Sequence, residues 1–290
     1  MGFTHRQEIG QLNREATVKK SNFIALLLAS ALAAGTAAAQ PAPFNEAGVT
    51  MGHWHLASKD LEATKKLFLA MGGKLYMPGG APLISFPGVY INLNLGTASG
   101  EGGSQGSVVN HVGFSVDDVQ KRVAEWKAAG VKVLPGNNGR LDQAYVETPD
   151  GLRMEILEDK TQSVPIRDEQ VHLFVLEAEV PKAQAWYAKT FGGKATTRNG
   201  APVVDIPGVQ IRFNKVDKAQ APTKGRVLDH IGFDVKDHAA FVQKITAEGI
   251  KLDDMPRKVA NGSTIVYITD PWGTRIEIIQ RAPLGPEVKS

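Results

Sequence analysis

The chain is written twice. Gly72-Gly73-Lys74 recurs as Gly192-Gly193-Lys194, Gly80-Ala81-Pro82 as Gly200-Ala201-Pro202, and Pro87-Gly88-Val89 as Pro207-Gly208-Val209. Each pair is offset by 120 residues, so whatever one copy folds into, the other must fold into as well. The copies run near residues 49–159 and 168–281. A polar joint at 160–167 contains Pro165, and a tail occupies 282–290.

Each copy divides again. Asn110-His111-Val112-Gly113-Phe114-Ser115-Val116 alternates with period two, placing Val112, Phe114 and Val116 on an apolar face and His111, Gly113 and Ser115 on the other. Asp229-His230-Ile231-Gly232-Phe233-Asp234-Val235 repeats the pattern. A strand precedes a helix at 61–71, and short strands follow at 75, 83–86 and 90–95. A second round begins at His111, with a helix over 118–129 capped by Asp117 and stopped by Gly130, then a hairpin over 144–157. In the second copy Pro181 suits a first helical turn, and Trp186, Tyr187 and Phe191 form a buried stripe. The expected class is α+β: two tandem domains, each a pair of βαβββ units whose sheets curl into a cup-shaped, partly open barrel with helices outside.

Ahead of the repeat, Lys19-Lys20, the apolar run 23–34 and Ala37-Ala38-Ala39 form the pattern of a secretory leader over residues 1–39, cleaved near Gln40. A Pro/Ala linker at 40–48 follows. This predicts a secreted or periplasmic protein with no stable membrane association after cleavage. Loss of four basic and two acidic leader residues lowers the net charge of +3 to about +1. No basic cluster is interleaved with aromatics, so nucleic acid is not an expected partner. A small-molecule partner is expected, and a homo-oligomer stays open. With no cysteine, a disulfide framework, a thiolate nucleophile and thiolate metal ligands are all ruled out.

The strand histidines carry the chemistry. His53 and His55 share a face of the first strand, and His172 stands in the corresponding strand of copy two. The last strands supply Glu155 and Glu277. His53 to His111 and His172 to His230 are both 58 residues; the glutamates follow the second histidines by 44 and 47. Two imidazoles and a carboxylate in one cup, with other positions open, suit an octahedral Fe(II) or Mn(II) site, and Zn(II) accepts the same set. The competing readings are histidines hydrogen-bonded for structure, and glutamates ion-paired to Arg153 and Arg275, two residues back on the same faces.

These motifs, with His-x7-Leu-x2-Thr at His53 and Thr-Pro-Asp-Gly-Leu-Arg-Met-Glu ending at Glu155, resemble the vicinal oxygen chelate superfamily. It includes glyoxalase I, extradiol dioxygenases, fosfomycin resistance enzymes and bleomycin-binding proteins. The resemblance covers residues 49–281 and implies metal ligands at His53, His111 and Glu155, and at His172, His230 and Glu277. The fourth, usually acidic, ligand of glyoxalase I falls on Asn92 and Arg212, which break that pattern and are left to face substrate, Arg212 toward a carboxylate. Tyr145 and Tyr267, ten residues before the glutamates, match the extradiol pattern, whose acid-base histidine is missing; His55 is the spare histidine facing a cup. The resemblance therefore implies a metal-dependent oxygenase of extradiol type acting on a small vicinal-oxygen substrate. A glyoxalase-like lyase and a non-catalytic sequestering protein are the alternatives.

Overall fold

The computed structural model describes residues 42–96 and 103–289. The leader expected at 1–39 lies outside them. Among the described residues no helix is long and apolar enough to cross a membrane.

Four βαβββ modules follow one another. The first holds β1 (Val49–Ser58), α1 (Leu61–Ala70), β2 (Lys74–Tyr76), β3 (Leu83–Phe86) and β4 (Val89–Leu95). In the second are β5 (Val109–Val116), α2 (Val119–Ala128), β6 (Val133–Pro135), β7 (Gln143–Glu147) and β8 (Arg153–Glu158). The third comprises β9 (Ile166–Leu176), α3 (Val180–Phe191), β10 (Lys194–Arg198), β11 (Ala201–Ile206) and β12 (Val209–Val216). The last consists of β13 (Leu228–Val235), α4 (His238–Ala247), β14 (Arg257–Lys258), β15 (Thr264–Thr269) and β16 (Arg275–Gln280).

Local chemistry starts and stops these elements much as the sequence suggests. Asp60, Asp118 and Asp237 each accept a backbone N–H three residues on, which caps α1, α2 and α4. The α2 cap is Asp118 and not Asp117, because Asp117 is taken by the guanidinium of Arg122 at 2.8 Å. Pro181 sits in the first turn of α3, and Tyr187 and Phe191 are fully buried.

The modules pack and pair with different partners. Within a copy the apolar faces meet: Trp54 and Phe86 of module one lie tilted against Phe114 of module two, with ring centroids 5.1 and 4.8 Å apart. Phe191 of module three lies 4.1 Å from Phe233 of module four. Burying an aromatic of this size contributes about 1.5–3 kcal/mol to the core.

Strand pairing, by contrast, crosses the copies. One eight-stranded sheet joins modules one and four through antiparallel β1 and β13; the other joins modules two and three through antiparallel β5 and β9. The first is the outer cup and the second the inner cup. The two cups expected are both present, each built from two βαβββ modules, and the modules that share a sheet come from different copies. The joint is too short to carry the chain away from β8, so Ile166 and Arg167, expected within it, already pair with Val116 and Ser115 of β5. The Pro87-Gly88 and Pro207-Gly208 turns clasp the seam: Pro87 O accepts from Asp168 N, and Pro207 O accepts from Met51 N, both at 2.8 Å.

Candidate metal centres

The cross-pairing decides which side chains meet. His53, His55, His230 and Glu277 converge in the outer cup, and His111, His172 and Glu155 in the inner cup; in each group the candidate ligand atoms lie within 4.8 Å of one another. All six expected ligands are therefore brought into clusters, but the trios implied by the resemblance are regrouped. His53 joins His230 and Glu277, whereas His172 joins His111 and Glu155.

The registers expose a second displacement. His55 pairs with His230 and His53 with Gly232; in the inner cup His172 pairs with His111 and Gln170 with Gly113. So His172 is the counterpart of His55, and Gln170 holds the place of His53. A one-turn 3-10 helix at Glu177–Glu179 adds two residues between strand and helix in module three, which makes a count from the helix start align His172 with His53. Gln170 was missed for that reason. Its signal was there in the dipeptide His55-Leu56, repeated as His172-Leu173. Both glycines opposite are required: a Cβ on Gly232 would collide with the His53 ring, and one on Gly113 would lie 2.9 Å from Gln170 Cγ.

In the inner cup Glu155 is buried at the floor. Gln170 Nε2 donates to its Oε2 at 2.7 Å, and Gln143 Nε2 donates to Oε1. Tyr145 Oη donates to the same oxygen at 3.5 Å and accepts from Asn137 Nδ2 at 2.9 Å. Burial opposes charge on Glu155, but His111, His172 and Gln143 override it and hold the carboxyl at about 2. His172 is pushed down to about 3, first by burial and then by neighbouring His111. The two imidazoles stack with centroids 4.0 Å apart. His111 Nδ1 donates to Asn110 Oδ1 at 3.0 Å, which leaves the lone pair on Nε2. That lone pair faces Glu155 Oε2 at 3.4 Å, and His172 Nε2 faces the same oxygen at 3.5 Å. Among the described residues neither ring nitrogen of His172 has a partner at hydrogen-bond geometry.

Two buried imidazole nitrogens facing one carboxylate oxygen make a donor set that suits a cation. Bonds of about 2.1 Å place neighbouring ligand atoms roughly 3 Å or more apart, which these distances match. The donor set fits a divalent ion.

The outer cup holds its own protons. His230 Nδ1 donates to Asp229 Oδ1 at 2.6 Å, and its Nε2 lies 2.9 Å from Glu277 Oε2. Burial opposes the charge on His230, yet the two carboxylates prevail and raise its pKa. Tyr267 Oη donates to Glu277 Oε2 at 2.8 Å. Arg281 Nη2 donates to His53 Nδ1 at 3.1 Å while its guanidinium is clamped on Asp234. A guanidinium only donates, so the proton of neutral His53 sits on Nε2, 3.6 Å from Glu277. His55 is pushed well below its ordinary value, first by burial and then by His230 and His53. An ion here has to displace a proton from His230.

The arginine explanation of the glutamates does not hold. Arg153 pairs with Glu147 and Arg275 with Asp229. Tyr145 and Tyr267, matched to the extradiol pattern, direct their hydroxyls to Glu155 and Glu277. Arg212 lines the inner cavity of about 580 Å³ together with Asn137, Arg140 and Asn214. Asn92 lines the outer one, about 300 Å³.

Paired βαβββ modules curled around a buried cluster of imidazoles and a carboxylate define a class of cup-shaped proteins with a candidate metal site at the floor. Residues 169–278 match the model of the Glyoxalase/Bleomycin resistance protein/Dioxygenase superfamily. Glyoxalase I from Zea mays superposes with a TM-score of 0.58 at 20% identity, covering 80% of this chain and 92% of that one. A Bacillus subtilis protein proposed to be a dioxygenase superposes with a TM-score of 0.59 at 16% identity, covering 81% and 86%. A protein of Arabidopsis thaliana described as a probable lactoylglutathione lyase, chloroplastic, is 37% identical over 91 residues, which span 30% of this chain and 25% of that relative.

Proposed function

We propose that the chain is a divalent-metal-dependent lyase of glyoxalase type, working in the inner cup on a 2-hydroxyacyl thioester such as lactoylglutathione. The observation that carries this reading is the trio of His111, His172 and Glu155 at the floor of the larger cavity, with both imidazole nitrogens facing one carboxylate oxygen at 3.4 and 3.5 Å. The match to the lactoylglutathione lyase relative supports the reaction class.

His111, His172 and Glu155 would hold the ion, which when bound supplies Lewis acidity toward oxygens on adjacent carbons. Glu155 is the proton carrier. Held ionised, it accepts a proton at the carboxylate oxygen turned away from the ion, Oε1, from a carbon beside a carbonyl and returns it to the neighbouring carbon, so no redox partner is needed. Gln170 and Gln143 steady the carboxylate during that exchange. Arg212 and Arg140 on the cavity wall suit the carboxylates of a peptidic thiol.

The test is thioester formation from a 2-oxoaldehyde and glutathione by protein reconstituted with single divalent metals. Turnover should vanish with chelator and in Glu155→Ala, and persist in Glu277→Ala. Failure to form thioester with any divalent ion would overturn the proposal.

A second reading, an extradiol-type dioxygenase, is favoured by one observation. The residues paired with His55 and His172 on β4 and β12 are Asn92 and Arg212, so neither cup gains a second carboxylate there. Two imidazoles and one carboxylate are the Fe(II) oxygenase set. Oxygen consumption by the iron-loaded protein with a catechol panel, without thioester chemistry, would select it. Export is proposed on residues 19–39 alone, and a reporter fused after residue 60 checks it.

A further inference from the structure

The two sheets differ at their ends. In the outer sheet the end strands are β14 and β2. The curl of the sheet brings them close: a Cβ built on Gly79, in the turn after β2, would lie 3.4 Å from Asn261 Cβ, in the turn between β14 and β15. The segment after β16 crosses that seam. On one side Ala282 N donates to Ser263 Oγ at 3.0 Å. On the other Val288 N donates to Leu75 O at 2.8 Å, and Lys74 pairs with Glu287 at 3.5 Å. In the inner sheet the chain instead passes from β8 directly into β9, and among the described residues no hydrogen bond or ion pair joins the end strands β10 and β6. The bridged cavity measures about 300 Å³, the unbridged one about 580 Å³.

The crossing segment is fastened only at its ends. Pro283 and Pro286 have no N–H to donate, and Gly285 between them stands at a φ of 78°, so this stretch adds no ladder to either edge. The Lys74–Glu287 pair is 64% and 43% exposed, which leaves it open to screening by salt. The root of the segment is firmer. Arg281, one residue before it, is clamped on Asp234, lines the outer cavity and donates to His53 Nδ1. Lifting the segment therefore pulls on the group that fixes the proton of His53.

We propose that residues 282–289 are a releasable strap that holds the outer cup closed. Release of Glu287 and Val288 from β2 lets the Gly79 and Asn261 turns part, and that step sets the rate at which a solute reaches His55 on the cavity wall. The strap acts on the outer cup alone, whatever chemistry the inner cup performs.

Carbethoxylation of the histidines by diethylpyrocarbonate, followed residue by residue by mass spectrometry at one fixed pH, tests this. In the parent chain His55 should react slowly, and faster as salt is raised. In a chain stopped after Arg281 its rate should rise about tenfold and lose the dependence on salt. Glu287→Lys should accelerate it in the same sense, and the double variant Lys74→Glu with Glu287→Lys, which restores the pair with its charges exchanged, should return it to the parent rate. His111 and His172 in the inner cup should react alike in every form. Equal His55 rates in the parent and the shortened chain would overturn the strap. If the shortened chain fails to fold, equal rates in the parent, Glu287→Lys and the double variant overturn it. Equal acceleration at His111 and His172 does so as well, because it would report a general loosening of the fold.

Discussion

Asn110 and Asp229 precede the two strand histidines and decide where their protons lie. A neutral amide oxygen accepts one proton from His111; a carboxylate helps His230 keep two. Asp229→Asn should therefore lower the pKa of His230 by about one unit or more, read from imidazole shifts in an NMR titration. The inner cup has the opposite sign. His172 is held below its unfolded value of 6.5 and Glu155 below 4.5, so the unfolded chain binds more protons wherever pH lies between folded and unfolded values. Their contribution is whole above pH 6.5 and is lost as pH falls, His172 toward about 3 and Glu155 toward about 2. In denaturant melts of metal-free protein, His172→Asn should flatten the decline between pH 6.5 and 3. An unchanged slope would mean the imidazole is solvated.

Strand register is where the sequence was most and least readable. Period-two alternation places His111, His230, Glu155 and Glu277 on the correct faces, because facing depends only on a residue's neighbours. Partner choice does not. All four modules present the same apolar and polar faces, so nothing local tells β5 whether to lie beside β1 or β9, and the short joint settles it. The His53 to His172 alignment failed for a related reason, since an extra turn at Glu177–Glu179 is silent in strand periodicity. An element-scale test follows from the glycine beneath His53. Gly232→Ala forces the imidazole off its cradle and should cost about 1–3 kcal/mol in chemical denaturation. Gly113→Ala should do the same beneath Gln170 and also release Glu155, lowering metal uptake. Gly130→Ala, at a positive-φ helix end with open space around it, lacks that crowding and should leave metal uptake untouched.

At the scale of the molecule, packing and pairing bind the copies in opposite senses: aromatics join modules one to two and three to four, while ladders join one to four and two to three. Neither copy owns a cup. A single cut in the segment 160–165 should leave both halves associated on gel filtration with metal still bound, because eight-stranded sheets hold them together. The isolated first copy should retain none. Separation of the nicked halves under native conditions would show that the ladders contribute little.

The ladder between β1 and β13 also orders events in time. Val49 must wait for Val235, on the order of 180 residues later, whereas β5 meets β9 after about 50. A chain emerging from the ribosome can thus finish the hollow containing Glu155 while the first strand still lacks its mate. Quality-control proteases would meet an assembled centre with an unfinished rim, and the last event of maturation is the joining of the two ends of the polypeptide around it.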